Sequence, residues 1–148
     1  MSKLIDRAEL LTEVFGYWPT FHDAEVVRLV LNRSAVGTDC CGPSCEMLIH
    51  VFEMTDEITA SGHYRLDKHH LIKLLFDGLD GIQLNGFNHQ NAIFGLEIVR
   101  SDGSDDYPEP WLITINGSFG VEASFRCMSA TVVSVIPCDS DGNSEHVA

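Results

Sequence analysis

Between Trp111 and Cys127 the chain repeats with a period of two. Trp111, Ile113 and Ile115 fall at every second position, and Val121, Ala123, Phe125 and Cys127 alternate with Glu122, Ser124 and Arg126. That period is the one at which a pleated strand returns side chains to the same face. Asn116-Gly117 lies between the two runs, and because both residues tolerate positive φ the pair predicts a tight hairpin turn there. A chain carrying this pattern has to build antiparallel sheet.

Much of the remainder has strand texture. Glu25 to Arg33 is rich in β-branched and apolar residues and too short for a typical helix. As a regular strand it would put Glu25, Val27, Leu29 and Leu31 on one face and Val26, Arg28, Val30 and Asn32 on the other. Met47 to Met54 is a nearly unbroken apolar run and predicts a strand covered on both faces. Thr55 to Gly62 should turn the chain before His63 to Lys68 extends it again. His70 to Phe76 fits either period, since Leu71, Leu74, Leu75 and Leu79 suit a helix while Ile72, Leu74 and Phe76 alternate; its neighbours favour a strand. Ile82 to Phe87, Ile93 to Arg100 and Ala130 to Pro137 complete the set.

One segment differs. Leu4, Ala8, Leu11 and Phe15 recur at spacings of three and four, predicting an amphipathic helix from about Ser2 to Phe15, with Ser2 as N-cap and Gly16 as its end. Trp18-Pro19 then forces an extended connection. Ser34 to Ser44 and Ser101 to Pro110 have loop composition, and 139–148 predicts a disordered polar tail. The expected fold is α+β: one N-terminal helix on a predominantly antiparallel sheet of about seven to nine strands, open to strong curvature, in a single domain over 1–138.

With 148 residues, a chain buries roughly two-thirds of the surface it exposes when unfolded. No apolar run approaches the ~20 residues of a membrane helix, and charges interrupt the first eleven residues where a signal peptide would be unbroken. The expectation is a cytoplasmic protein. The formal net charge of −13, from 22 acidic residues against 9 Lys plus Arg, repels phosphate backbones and anionic membranes. It argues against direct nucleic-acid or membrane binding, and either steers a basic partner into contact or serves solubility.

Residues 15–25 join the helical to the strand texture and hold the densest mixture of aromatic and ionisable groups. Trp18, His22, Asp23 and Glu25 are the candidate site residues. A divalent-metal hydrolase would need His22, Asp23 and Glu25 to converge with one distant histidine, yet an extended segment sends His22 to the face opposite Asp23 and Glu25. A carboxylate there could instead accept N–H groups of the preceding turn. A third reading is an exposed acidic and aromatic patch for a partner, with Asp105 and Asp106 as an acidic rim.

Other chemistry lacks its signatures. His63, His69, His70 and His89 match no zinc spacing, and adjacent histidines on a strand face opposite ways. Cys40, Cys41 and Cys45 lack a second metal-binding half, so they read as incidental thiols of a loop. Asn88-His89-Gln90-Asn91 suits hydrogen bonds within its own turn better than ligand recognition. The chain has no G-x-S-x-G elbow and no Gly-rich phosphate loop after a strand, so no cofactor or catalytic residue is expected.

Residues 18–26, reading Trp-Pro-Thr-Phe-His-Asp-Ala-Glu-Val, and Gly86-Phe87-Asn88-His89-Gln90-Asn91 resemble the immunity protein 50 family of bacterial polymorphic-toxin systems. The resemblance spans the chain from the first helix to the last strand and departs at Cys40 to Cys45. It implies an α+β cytosolic protein, without chemistry of its own, that binds and neutralises a cognate toxin protein. The acidic composition suits a basic toxin. The alternatives are the metal-dependent hydrolase and a housekeeping protein whose sheet edges pair into a homodimer.

Overall fold

The computed structural model describes residues 5–34, 42–100 and 110–144. One helix, α1 (Glu9–Phe15), precedes eight strands: β1 (Glu25–Asn32), β2 (Ser44–Ile58), β3 (Tyr64–Asp77), β4 (Asp80–Asn85), β5 (Ala92–Arg100), β6 (Trp111–Phe119), β7 (Glu122–Cys127) and β8 (Ser129–Pro137). Among the described residues they form one antiparallel sheet that does not close, in the order β4-β7-β6-β5-β1-β2-β3-β8. The α+β expectation and the strand number hold. His70 to Phe76 lies inside β3.

The sheet doubles over on itself. Phe76 of β3 and Phe125 of β7 meet edge to face with ring centroids 5.2 Å apart. Those strands are five intervals apart in the sheet order, which would separate them by ~24 Å in a flat sheet at about 4.8 Å per strand. Two short links turn the corners: Gly78-Leu79 takes β3 into β4, and Met128 takes β7 into β8. The links run side by side, with the Met128 N–H donating to the Asp77 carbonyl at 2.9 Å. Strands that switch layers at a bend are how such packed sheets make corners. Met47, Ile49, Ile72 and Leu74 from one half face Ile93, Ile113, Ile115 and Phe125 from the other across a shared core.

The helix is shorter than its periodicity predicted. Ser2 lies outside the described residues, and Asp6 is held as strand, its N–H donating to the Ala130 carbonyl at 3.0 Å and its carbonyl accepting from Val132 at 2.9 Å. Unpaired backbone on the outer side of β8 thus competes with the first helical turn for the same groups. Gly16 ends α1 as expected, in the left-handed region at φ 82 with its N–H on the Thr12 carbonyl. Two helical turns are not stable alone; Leu11 and Phe15, both buried, each contribute about 1.5–3 kcal/mol by leaving water.

Two further expectations need correction. Asn116-Gly117 is not the turn between β6 and β7: the register pairs Ile113 with Phe125 and Ile115 with Ala123, so the chain reverses around Gly120 at φ 90. The end of β6 continues instead along β5, Asn116 opposite Gly95 and Gly117 opposite Ile93, and those ladder bonds outweigh the local turn preference. In β1 a bulge between Val26 and Arg28 resets the alternation, so Val26 and Leu29 both reach the core while Val27 is exposed. After β8 the Asp139 carboxylate accepts the N–H of Asp141 at 3.0 Å and of Asn143 at 2.8 Å, closing a turn.

Candidate partner-binding site

The contact between the two half-sheets is narrow. β1 pairs with β5 only through Glu25 opposite Ala92, extended by backbone hydrogen bonds from Asp23 to Ile93, Ile93 to Ala24 and Val26 to Asn91 at 2.9–3.0 Å. Every one of these groups lies in or beside the two segments that carry the family resemblance. Residues 18–26 supply one lip of the seam and residues 86–91 lead into the other.

The second segment is a clamp. The Asn91 side chain is buried and makes three hydrogen bonds: its amide donates to the carbonyls of Val26 at 3.3 Å and Asn88 at 2.9 Å, and its oxygen accepts the Asn88 N–H at 2.9 Å. The Asn88 side chain accepts the Gln90 N–H at 2.9 Å, as Asn does when it builds its own turn. Gly120 packs against this loop so closely that a Cβ would collide with the Gln90 carbonyl. The turn reading of 88–91 therefore holds, with the addition that Asn91 reaches across to β1.

The first segment bends where a strand would have run straight. Phe21 and Asp23 both have positive φ, 62 and 65, a region costly for a bulky side chain. Phe21 is tolerated because its ring is buried and meets the half-buried Trp18 ring edge to face at 5.7 Å. The bend brings His22 and Asp23 together, with Nδ1 3.2 Å from Oδ2. Both are exposed, so the pair adds little stability. The turn is capped by Thr20, whose Oγ1 accepts the His22 N–H at 3.2 Å.

Two of the site residues, His22 and Glu25, line different depressions. His22 lines a groove of about 280 Å³ with Tyr17, Phe52 and Met54. Glu25 lines a separate cavity of about 500 Å³ with His50, Phe87, His89 and Asp141. His22, Asp23 and Glu25 therefore do not gather around one point, and among the described residues no three His, Cys, Asp or Glu side chains are placed to share a metal ion. The donor set required by a metal hydrolase is not assembled there. Asp105 and Asp106 lie outside the described residues, as do Cys40 and Cys41. Cys45 is a core residue of β2 and no loop thiol; burial, with Glu46 beside it, pushes its thiol up to about 12.

Around the seam several aromatic rings reach solvent: Phe87, Phe94 and Phe119 are 44%, 58% and 51% exposed. His22 lies beside Phe94 and His89 beside Phe119. A second exposed apolar surface, of Met54, Ile58, Tyr64 and Leu66, lies on the projecting ends of β2 and β3. Part of the β8 edge, one of the two on which a homodimer could pair, is taken by Asp6.

The sequence reading passed over His50. It sits within the apolar run of β2, where an imidazole among Leu48, Ile49 and Val51 was the available signal. Its Nε2 lies 2.9 Å from Nδ1 of His69, while His70 turns the other way, onto the Phe15 ring. Burial, and then His69 beside it, lower the His50 pKa against the opposing pull of Asp139 and Asp141.

Fold and seam together define a class: a mostly β, α+β protein in which residues 18–26 and 86–91 join two half-sheets, with acidic and aromatic side chains exposed beside the join. The chain belongs to the immunity protein 50 family, whose model matches residues 7–138. Comparisons with curated proteins and with solved structures give no match. No helix among the described residues is long and apolar enough to cross a membrane.

Proposed function

We propose that this chain is a cytoplasmic immunity protein that binds a cognate toxin domain and neutralises it by covering the toxin's working surface. The supporting observation is family membership over 7–138 taken with the seam: residues 18–26 and 86–91, on which the resemblance rests, meet there and leave His22, Asp23, Glu25, Phe87 and His89 at or near the surface. Trp18 braces this surface through Phe21, and Asp105 and Asp106, which lie outside the described residues, are the further acidic candidates for contact with the partner. The net charge of −13 favours a basic toxin, because complementary fields raise association rates. Binding then depends on salt.

The test is protection. Coexpression with the toxin domain encoded beside this chain should rescue growth, and the two proteins should copurify. Asp23→Ala combined with Glu25→Ala, in a protein of unchanged melting temperature, should weaken the complex at least tenfold. A toxin that kills regardless of this chain sinks the immunity reading. Full protection by the folded double variant removes these carboxylates from the interface.

A further inference from the structure

The larger cavity holds more than a general acidic patch requires. Its floor is Glu25 at the start of β1, next to His50, which is only 8% exposed. One wall is the loop carrying Phe87 and His89, and the other is the tail turn carrying Asp141. No lysine or arginine among the described residues lines it. Among the described residues, neither the Glu25 nor the Asp141 carboxylate enters an ion pair. We propose that this cavity receives an arginine side chain of the partner protein, an inference that rests on the immunity reading and specifies its contact.

Three features select arginine. The two carboxylates supply anionic acceptors, and charge-assisted hydrogen bonds to them are the strong kind. Phe87 and His89 both line the cavity, and aromatic side chains favour a planar guanidinium, which stacks where a compact ammonium does not. The walls are already built: Asn91 ties one to β1, the Asp139 carboxylate closes the other, and Gly142 packs so tightly on His50 that a Cβ would stand 3.2 Å from Nδ1. A preformed receptor loses little conformational freedom when it is filled.

The experiment needs no toxin. The full chain, labelled with nitrogen-15, is titrated with N-acetyl-arginine amide, its lysine counterpart and the neutral citrulline counterpart, following backbone amide signals. The arginine probe should shift Glu25, His50, Asn88 and Asp141 saturably, the lysine probe should bind more weakly, and the citrulline probe should leave these signals in place. Glu25→Gln with Asp141→Asn should weaken arginine binding at least tenfold; the Asp139 carboxylate closes the tail turn, and Asp141 joins it through its backbone N–H, which asparagine keeps. Equal shifts with citrulline, equal affinity for lysine, or no localised response to arginine each overturn the proposal. None of these results bears on protection from the toxin, so the receptor can fail while the immunity reading stands. Undiminished protection by a double variant that no longer binds the arginine probe would likewise sink the receptor alone.

Discussion

Replacing Asn91 by alanine removes the clamp on the seam without touching an exposed group. The side chain is 3% exposed and makes three hydrogen bonds, two donated to the carbonyls of Val26 and Asn88 and one accepted from the Asn88 N–H. Each such bond contributes about 0.5–1.5 kcal/mol net, and buried partners left unsatisfied cost more, so the loss should be about 2–4 kcal/mol. For a chain of this length that lowers the melting temperature by roughly 5–15 °C. Urea unfolding followed by tryptophan fluorescence measures it, with an unchanged m-value showing that stability alone has moved. His89→Ala is the control: two residues away and exposed, it should cost less than about 0.5 kcal/mol. An Asn91→Ala loss below about 1 kcal/mol, or one no larger than that of His89→Ala, would refute the clamp.

Other outcomes follow from the same geometry. Phe125→Ala removes the ring that meets Phe76 between the half-sheets and should cost about 3–5 kcal/mol in the same denaturation assay. Iodoacetamide should modify Cys45 only after unfolding, as read by mass spectrometry, because the thiol is buried and raised to about 12. The fold lowers the His50 pKa below the ordinary histidine value, chiefly through burial, so it favours the neutral ring. The corresponding stability is complete above the unfolded value and is lost as pH falls toward the folded one. Denaturation midpoints between pH 7.5 and 5.5 should therefore decline less in His50→Gln than in the parent chain. His69, Asp139 and Asp141, which also face the ring, stay in place in that comparison.

What the sequence reveals and what it hides divide along physical lines. The period-two pattern of Trp111 to Cys127 located β6 and β7, since burial of alternate side chains is local. It misplaced their turn, because Asn116-Gly117 is read by its own preference while pairing of the end of β6 with β5 depends on a distant segment. The helical spacing correctly assigned Ala8, Leu11 and Phe15 to the core, with Ile5 beside them, although Ile5 to Ala8 lie outside α1. Side-chain burial survived a change in backbone that only the β8 edge could dictate. Asp23 and Glu25 were visible as candidates, but the bend at Phe21 and Asp23 that separates their surroundings was not. The cavity was wholly hidden, since its walls come from residues 25–27, 50, 87–89, 91 and 140–143, and nothing local marks them as neighbours.

The most direct test of the central claim, that this family member docks its toxin over the β1–β5 seam, is hydrogen–deuterium exchange on the purified chain with and without the toxin domain. The account predicts slowed exchange concentrated in 22–27, 87–91 and 139–143, with the remaining strands unchanged. Protection confined to the outer face of β4, β7 and β6, or to the projecting ends of β2 and β3, would contradict it.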